Sequence, residues 1–509
     1  MGPFQRPASK WLIAFTVMLP TLIEIIDTSI VNVSLDHIRG SLSAGIEEAT
    51  WAINAYLVAN AIVIPMSGWL SRLCGRKNYQ IGSIVVFTVS SFLCGSAWDL
   101  QSLIFFRVLQ GLAGGGLVPV SQSILLEAFP PQQHGMAMAI FGIGAMVGPI
   151  LGPIMGGWIT DNWSWRWIFY INIPLGALAI AMNAIVIQDP PWMQRLRMRI
   201  DYFGLVFLAV GLGALQIVLD RGQQEDWFSS ETIVAFALIS VFALAFLVVN
   251  EMTDAHPIIN LRLFRDRTFA TGSLVMFFLF FNLFGSIVLL PIYVQSLMGY
   301  SSYDAGLVLG PGGAATLLVM PVVGKLVQKV NPKKILACGI VVSAWTTWTM
   351  AHFNLQADFW TFVLPRVTLG IGMGLSFIPL TTLTLSHIPR ELMGQATSMY
   401  NLLRNMGGSV GIAFVTTFLA RRAQFHQSRL VEHLTPFDPA YALAQAQTAA
   451  AVAARGAEAT GTDALIYGQM LRQARALAFN DTFTVTAVLL LSVLVLVFFM
   501  RRAEAPARP

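Results

Sequence analysis

The sequence predicts an all-α, polytopic membrane protein with fourteen transmembrane helices. Of its 509 residues, 56% are hydrophobic and 11% are charged, and the mean hydropathy is +0.67. A soluble protein carries about 25% charged residues. Apolar runs recur along the chain, and each is close to the length of about 20 residues that crosses a bilayer as a helix. The runs occupy 11–35, 50–71, 79–98, 101–126, 135–160, 167–187, 203–219, 233–250, 270–296, 304–328, 334–353, 359–386, 393–420 and 482–500.

The lysines and arginines between the runs predict the orientation, because cytoplasmic loops carry an excess of these residues. With the N-terminus inside, the inside segments hold most of them, and the short outside loops hold only Arg39, Arg166 and Arg221. We therefore expect both termini to be cytoplasmic. The first run is too long for the apolar part of a signal peptide, so we expect it to be retained as the first span.

The outside segment 421–481 is much longer than the other loops. It contains AYALAQAQTAAAVAARGAEA, which is rich in strong helix formers. Two interpretations stay open: a partly helical periplasmic or extracellular excursion, or a mobile surface loop.

The chain contains an internal repeat. One gapless offset of 259 residues carries Arg107 onto Arg366 and six Gly or Pro residues onto identical partners. These pairs are Gly111–Gly370, Gly115–Gly374, Pro130–Pro389, Gly135–Gly394, Gly148–Gly407 and Gly152–Gly411. Runs four and five therefore correspond to runs twelve and thirteen. This predicts two six-helix halves and an inserted pair of helices, runs seven and eight.

The repeat predicts the domain organisation. The expected parts are an N-terminal half at 1–190, the inserted pair with its flanking loops at 191–265, a C-terminal half at 266–500 that includes 421–481, and a cytoplasmic tail at 501–509.

Two carboxylates, Glu24 and Asp27, lie in the first run, within TLIEIIDTSIVNVSLD. A charged carboxylate at the centre of a membrane helix costs about 2.5–3.5 kcal/mol on insertion scales. At a spacing of three residues the acids share a helix face, which must point into a wet cavity or toward a partner. Because neighbouring carboxylates in low dielectric do not both ionise cheaply, one is expected to exchange a proton near neutral pH. The alternative is a pair of static anchors for helix packing.

Arg107, near the start of the fourth run, is the expected counter-charge of Asp27. A cation that approaches the carboxylate in one conformation and leaves it in another would switch the proton affinity of that group. The alternative is a structural ion pair that never rearranges. Glu127 ends the same run, where it is a proton exit, part of an intracellular latch or a solvated helix-end group.

The second half lacks the embedded acids. At offsets of 256 or 259 residues, Asp27 corresponds to Leu283 or Ser286, and Glu24 to Phe280 or Leu283. We therefore expect proton handling to belong to the N-terminal half.

The second half instead offers Arg366 and Arg404. Arg404 is flanked by Asn401 and Asn405 and needs an acceptor inside the membrane. Three acceptors stay open for it: an anionic group of a ligand, a carboxylate across a cavity, or a carbonyl.

Small residues recur at a spacing close to four along the fifth run, a pattern that allows close helix packing. They are Gly144, Gly148, Gly152, Gly156 and Gly157. Pro149 and Pro153 are expected to bend the helix locally. We expect this stripe to form a rigid seam between the two halves.

Other polar and aromatic residues of the runs are candidates to line a central cavity. They are Asn32, Asn54, Asn60, Gln110, Gln122, Asn282 and Tyr293, together with Arg404. A few polar groups in a largely apolar pocket suit amphipathic ligands.

The sequence lacks the patterns of several other functions. It contains no phosphate-binding G-x-x-x-x-G-K-[ST] motif and no H-E-x-x-H zinc motif, and its three cysteines lack metal-ligand spacing. We therefore expect no enzymatic activity and no bound metal or cofactor. The net charge is +5, but no basic patch is interleaved with aromatic residues, so we expect no nucleic-acid partner.

Three motifs resemble those of the major facilitator superfamily. GWLSRLCGRKN is similar to the signature G-x-L-x-D-R-x-G-R-K, with Arg72 in place of the acid. RVLQGLAGGGL resembles the motif whose arginine, here Arg107, is implicated in proton transfer. GAMVGPILGPIMGG resembles a motif associated with exporters. The signature is matched by Gly68, Leu70, Gly75, Arg76 and Lys77.

Further features narrow the resemblance to the fourteen-span drug:proton antiporters of the EmrB/QacA type, nearest EmrB. They are the fourteen runs, DTSIVNVSL, NLLRNMGGSVG and the long segment before the last run. The resemblance implies the superfamily fold and a multidrug exporter of hydrophobic or amphipathic compounds in the cell inner membrane, driven by the proton gradient. For a Gram-negative source it also implies a periplasmic adaptor (EmrA-like) and an outer-membrane channel (TolC-like), with 421–481 as an expected contact.

Three alternatives to a multidrug exporter stay open. The first is an exporter dedicated to one metabolite class, such as a fatty acid, a siderophore or an antibiotic. The second is a proton-coupled importer, against which the Gly-Pro stripe argues. The third is a membrane sensor or scaffold that has lost transport.

Overall fold

The structure, a computed structural model, describes residues 9–190, 201–254, 257–435, 437–453 and 462–501. These residues form α-helices joined by short connections and contain no β-strand. Residues 502–509 of the predicted tail at 501–509 and parts of the segments 191–265 and 421–481 lie outside the described residues. In chain order the helices are α1 Lys10–Ser41, α2 Ile46–Cys74, α3 Arg76–Gly95, α4 Leu100–Gly114, α5 Leu117–Ala128, α6 His134–Asn162, α7 Trp167–Tyr170, α8 Asn172–Val186, α9 Tyr202–Arg221, α10 Glu231–Thr253, α11 Arg267–Ser296, α12 Ser302–Leu326, α13 Pro332–Met350, α14 Phe359–Leu385, α15 Met393–Val431, α16 Pro439–Ala453, α17 Thr462–Ser492 and α18 Leu494–Phe499.

Each of the predicted runs coincides with a helix or a pair of consecutive helices. In the described part of the chain, 11 helical segments are long and apolar enough to cross a membrane. The other three runs, 79–98, 135–160 and 334–353, coincide with α3, α6 and α13. The all-α polytopic fold class is confirmed, and the count of fourteen stays a prediction.

Most of the described residues of the segment 421–481 are helical. α15 continues to Val431, α16 follows, and α17 begins at Thr462, about twenty residues before the predicted span. The side chains of Arg422 and His426 contact Asp481 Oδ2 at 2.6 and 2.7 Å, which ties the extension of α15 to α17. The helical interpretation of this segment is therefore the one that the described residues support.

The helix packing follows the internal repeat. In the first half α1 packs on α6, α2 on α4 and α3 on α8, and in the second half α11 packs on α15, α12 on α14 and α13 on α17. These pairings correspond helix by helix. The boundaries at 190 and 266 stay a prediction.

Two helix caps obey the same offset. Asp99 caps α4 and accepts a hydrogen bond from the backbone of Ser102 at 2.7 Å. Asp358 caps α14 and accepts from the backbone of Thr361 at 3.0 Å. Hydrogen bonds from Ser102 and Thr361 lower the pKa of Asp99 and of Asp358 respectively, because they stabilise the charged carboxylate.

Both ends of the described chain lie at one end of the bundle, here called the terminal end. Lys10 Nζ donates to Gln133 Oε1 at 2.6 Å, and the backbone of Arg501 donates to Thr268 Oγ1 at 3.0 Å. These contacts place the first turn of α1 beside the start of α6, and the residues after α18 beside the start of α11.

The two halves meet at the terminal end along two seams. In the α2–α15 seam, Ser67 Oγ lies 2.8 Å from Ser398 Oγ. A Cβ added to Gly68 would lie 2.6 Å from the Gly394 carbonyl oxygen. In the α6–α12 seam, a Cβ added to Gly135 would lie 3.2 Å from the backbone of α12. Both seams bring helix backbones together through glycine.

The inserted helices α9 and α10 pack on each other, and α9 also contacts both halves. Gln216 Nε2 of α9 donates to Ser409 Oγ of α15 at 3.1 Å. Gly213 of α9 faces Val58 and Ile62 of α2. α9 therefore covers the α2–α15 seam at a level farther from the terminal end than Gly68.

Replacing Gly68 by Ala should loosen the α2–α15 seam, because the added methyl group has no room beside Gly394 and Gln395. Disulfide formation in the double variant Ser67→Cys, Ser398→Cys measures how closely α2 and α15 approach, because the native hydroxyl oxygens are 2.8 Å apart. We expect a high disulfide yield in the parent chain and a low yield with Gly68→Ala. Non-reducing electrophoresis after mild oxidation measures both.

The matched control is Gly82→Ala, since a Cβ at Gly82 meets nothing within 4 Å. The two exposed cysteines, Cys74 and Cys338, are replaced by serine in every chain. Equal disulfide yields with Gly68→Ala and Gly82→Ala would contradict the close approach at this seam.

Candidate functional site

A buried ion pair joins α1 to α4. Arg107 Nη1 lies 2.6 Å from Asp27 Oδ2, and the exposed fractions of the two side chains are 1% and 0%. The sequence singled out both residues, and the structure brings them together. A paired and hydrogen-bonded geometry is what a buried charge requires, because an isolated one costs several kcal/mol.

Two amides complete the surroundings of Asp27. Gln110 Nε2 and Asn172 Nδ2 each donate to Asp27 Oδ1 at 2.8 Å. Arg107 also donates to Gln110 Oε1 at 2.8 Å and to the Ala52 carbonyl oxygen at 2.9 Å. We call Asp27, Arg107, Gln110 and Asn172 the Asp27 cage.

The Asp27 cage is arranged for an ionised carboxylate. An ionised carboxylate only accepts hydrogen bonds, whereas a protonated one also donates. Asp27 receives three donors, from Arg107, Gln110 and Asn172. The three donors occupy most of the lone-pair positions of the carboxylate, of which it has about four.

Glu24 lies in a second environment on the same side of α1. Its Oε1 accepts hydrogen bonds from Asn60 Nδ2 at 3.1 Å and from the Tyr56 hydroxyl at 3.4 Å. The side chain is half-buried. Arg404, from the second half, is the strongest opposite charge acting on it. Glu24 therefore faces the other half, whereas Asp27 is enclosed within its own.

Tyr56 stands between the two acids. Its hydroxyl contacts Glu24, and the Arg107 guanidinium lies 4.1 Å from the centre of its ring. That distance is within the range of a cation–π interaction. Tyr56 thus touches one acid and the counter-charge of the other.

Two members of this arrangement, Asn172 and Tyr56, were not among the candidates from the sequence. Asn172 lies 145 positions from Asp27 along the chain, and helical periodicity does not reveal such a contact. The available signal was an amide at the start of an apolar helix, in YINIP. The side chain of Asn172 is held in place by Ser91, because Asn172 Nδ2 donates to Ser91 Oγ at 3.0 Å.

Glu127 pairs with Arg76 of the superfamily-like signature. Ser123 Oγ also donates to Glu127 at 3.3 Å. The Glu127 side chain is 12% exposed, so the solvated helix-end interpretation is wrong for this structure. Arg390 of the second half also acts electrostatically on Glu127, which agrees with the latch interpretation.

The remaining signature residues shape the turn between α2 and α3. Gly75 has a φ of 85°, a backbone conformation that favours glycine. The backbone N–H of Lys77 donates to Asp189 Oδ1 at 2.9 Å, and its ammonium group donates to the Ala184 carbonyl. Arg72, which replaces the signature acid, is half-buried.

The glycine stripe of α6 packs against α1. Cβ atoms added at Gly144, Gly148, Gly152 and Gly156 would lie 2.0 to 2.7 Å from side chains of α1, and a Cβ at Gly157 would only touch Val33, at 4.0 Å. The predicted close approach is confirmed, but its expected position between the two halves is wrong. α1 and α6 both belong to the first half, so the stripe fixes the helix that carries Glu24 and Asp27. The side chains of Pro149 and Pro153 lie outside the described part of the chain.

The other cavity candidates are distributed over several environments. Gln122 accepts from Asn401 Nδ2 at 2.6 Å and joins the two halves. Asn282 donates to Thr347 at 3.2 Å within the second half. Tyr293 is fully buried, in a cluster with Phe353, Phe362 and Phe479.

Three candidates have more open surroundings. Asn32 is exposed and Asn54 is half-buried. Arg404 is half-buried, and its guanidinium lies 5.4 Å from the centre of the Phe280 ring.

Comparison with known families decides the affiliation. The model of the Major Facilitator Superfamily matches residues 17–412. The chain belongs to this superfamily. The proton:xylose symporter XylE, a solved member, shares the fold with a TM-score of 0.61 at 14% identity, over 94% of this chain and 95% of XylE.

Two curated relatives of this superfamily chain match nearly end to end. The multidrug export protein EmrB of Haemophilus influenzae is 36% identical over 96% of this chain and 95% of its own length. The fatty acid resistance protein FarB of Neisseria gonorrhoeae is 34% identical over 98% of this chain and 97% of its own. The resemblance to drug antiporters of the EmrB type is confirmed.

Replacing Asn172 by Ala should destabilise the protein, because Asp27 loses one donor in a buried site. The loss of a hydrogen bond to a charged group costs about 1.5–3 kcal/mol, so the melting temperature in detergent should fall by several degrees. The matched control is Asn162→Ala, since Asn162 is exposed and its amide donates to the Trp158 carbonyl of its own helix. Equal melting temperatures for the two variants would contradict the Asp27 cage.

Proposed function

We propose that this superfamily member is a proton-coupled multidrug efflux transporter that exports hydrophobic or amphipathic compounds by alternating access. The observation that carries the proposal is the buried Asp27–Arg107 pair, with Glu24 beside it facing Arg404 of the second half. The names of EmrB and FarB, which describe export of and resistance to such compounds, support the same direction of transport.

Asp27 is the proposed proton carrier. In the ionised state its carboxylate is held by Arg107 and by two amides. Withdrawal of Arg107 removes a charge-assisted hydrogen bond, and such bonds are about twice as strong as neutral ones. The carboxyl group then binds a proton more tightly. Proton uptake and release thereby become linked to the conformation of α1 against α4.

Glu24 is the proposed connection between the proton and the cargo. It faces the second half, where Arg404 acts on it, and it contacts Tyr56, which lies against Arg107. A cationic cargo beside Glu24 replaces the attraction of Arg404. Because Tyr56 contacts both Glu24 and Arg107, this change also affects Arg107 and therefore the Asp27 cage.

Rocking of the two halves is the proposed motion. It would open the α2–α15 and α6–α12 seams at the terminal end and close the opposite end, as the repeat architecture of such transporters suggests. The glycines of the seams and the contact between Gln122 and Asn401 support a well-packed closed state. Glu127 and Arg76 are proposed as part of the latch at this end.

The proposed setting is the inner membrane, with both termini cytoplasmic, as the charge distribution indicates. The proposed partners are an EmrA-like adaptor and a TolC-like channel. Their contact surface is the helical segment formed by the end of α15, α16 and the start of α17. Its position at the end opposite to the described termini supports this assignment.

A second candidate function is export dedicated to one class, the fatty acids. The specific observation in its favour is the 34% identity to the fatty acid resistance protein FarB. The two functions differ in their cargo, since a dedicated exporter would move a carboxylate-bearing lipid and not a cationic dye.

Replacing Asp27 by Asn should abolish proton-driven transport, because the amide cannot carry the proton. In liposomes with an imposed pH gradient, we expect dye movement by Asp27→Asn to fall to the level of empty liposomes. Asp161→Asn is the matched control, because Asp161 is an exposed acid at the end of α6 with 70% of its side chain accessible. Unchanged transport by Asp27→Asn would exclude this coupling mechanism, and uptake in the opposite direction would favour an importer.

Glu24 and Arg404 should behave as a coupled pair in cargo binding. We expect Glu24→Gln and Arg404→Gln each to change the affinity for a cationic dye, and the double variant to depart from the sum of the single effects by about 0.5–3 kcal/mol. Fluorescence titration of the purified variants measures the affinities. Asp161→Asn combined with Arg404→Gln is the control pair, since Asp161 does not act on Arg404. Additive effects for Glu24 and Arg404 would exclude coupling across the halves.

A further inference from the structure

The second half retains the cation of the Asp27 cage without its acid. The offset of 259 residues carries Arg107 onto Arg366 and Asp27 onto Ser286. The structure repeats the contact as well, because Arg366 Nη1 donates to Ser286 Oγ at 3.1 Å, just as Arg107 Nη1 donates to Asp27. α14 and α11 therefore hold an arginine in the same geometry as α4 and α1.

Two polar neighbours of Arg107 have apolar counterparts near Arg366. At the same offset Gln110 corresponds to Leu369 and Tyr56 to Ala315. Arg107 Nε donates to a carbonyl, whereas Arg366 Nε is buried and has no hydrogen-bond partner among the described residues. The guanidinium of Arg366 thus has a buried donor without a hydrogen-bond partner among the described residues.

Arg366 also lacks a carboxylate partner. Its exposed fraction is 7%, that of Ser286 is 3%, and no ion pair in the described part of the chain includes Arg366. A buried charge inside a membrane protein is costly unless an opposite charge accompanies it. A hydroxyl group meets the hydrogen-bonding need of one nitrogen and leaves the charge uncompensated.

We propose that Arg366 and Ser286 form a binding site for the carboxylate of anionic amphipathic compounds. The ligand carboxylate accepts from the unpaired Nε of Arg366 and lies beside Ser286, which holds the position of Asp27 in the repeat. Arginine suits this role, because its planar fork matches the two oxygens of a carboxylate. The site deepens the proposed function, on which it rests, by assigning a class of cargo to the second half.

The neighbourhood of the site suits the apolar part of such a ligand. Phe362, one turn before Arg366 on α14, is fully buried among aromatic rings that include Tyr293 and Phe353. Along α11, Ser286 lies six residues from Phe280, over which Arg404 is placed. Six residues correspond to about 9 Å along a helix, so Ser286 lies about that far along α11 from the aromatic ring over which Arg404 is placed.

The test compares a carboxylic acid with its methyl ester, using the full-length protein purified in detergent. The probes are the fluorescent dansylaminoundecanoic acid, at a pH where it is ionised, and its methyl ester. The wild type should bind the acid about 10–100-fold more tightly than the ester, as expected for hydrogen bonds to a charged group. Arg366→Gln should abolish this preference, and Arg366→Lys should retain part of it.

Position 286 provides a matched pair of variants. Ser286→Asp supplies an internal carboxylate, so it should abolish the preference for the acid and raise the melting temperature. Ser286→Ala removes only the hydroxyl group and should weaken acid binding by no more than about fivefold. Binding of the methyl ester serves in every variant as the control that the protein is folded. Should Arg366→Gln fail to fold, Ser286→Asp decides, because it adds a partner without removing the cation.

The outcomes separate the site from the transport mechanism. Equal binding of acid and ester by the wild type, or a preference that survives Ser286→Asp, would overturn the site. Loss of the preference with Arg404→Gln but not with Arg366→Gln would overturn it too, by moving the carboxylate to Arg404. Absence of gradient-driven dye transport by the wild type, with the acid preference intact, would remove the proposed function and leave the site standing.

Discussion

The ion pair between Asp27 and Arg107 constrains the surrounding helices. Two opposite charges with 0% and 1% of their side chains exposed persist in a membrane protein only if every surrounding helix holds its position. α8 supplies Asn172 and α4 supplies Gln110. α6 presents glycines to α1, so that the backbone of the helix carrying Asp27 is fixed from behind. The packing of the first half is thus arranged around one carboxylate.

Much of the fold could be predicted from the sequence, because lipid leaves few alternatives. Apolar runs of span length must be helical, and an embedded acid must find a cation, which identified Asp27 and Arg107 as partners. The periodicity of the α6 glycines predicted close packing, but a small-residue face does not specify its partner, so the stripe was assigned to the wrong seam. Asn172 and the pairing of Glu127 with Arg76 depend on contacts between distant helices, which no local pattern contains.

The two halves share one arrangement of helices but surround their buried arginines with different groups. The helix pairings, the capping aspartates Asp99 and Asp358, and the arginines Arg107 and Arg366 all follow the repeat. The acids and amides that surround Arg107 do not. The two halves thus share their helix packing but differ in their buried polar residues. The arrangement of helices constrains both halves, whereas the pattern of charges is free to differ between them.

The inserted helices make the two flanks of the bundle unequal. α9 lies over the seam between α2 and α15 and touches both, and α10 behind it turns large apolar side chains such as Phe242 outward. On the opposite flank, α6 and α12 meet without a comparable layer among the described residues. The bundle is therefore thicker where α9 and α10 cover the α2–α15 seam than on the flank where α6 and α12 meet.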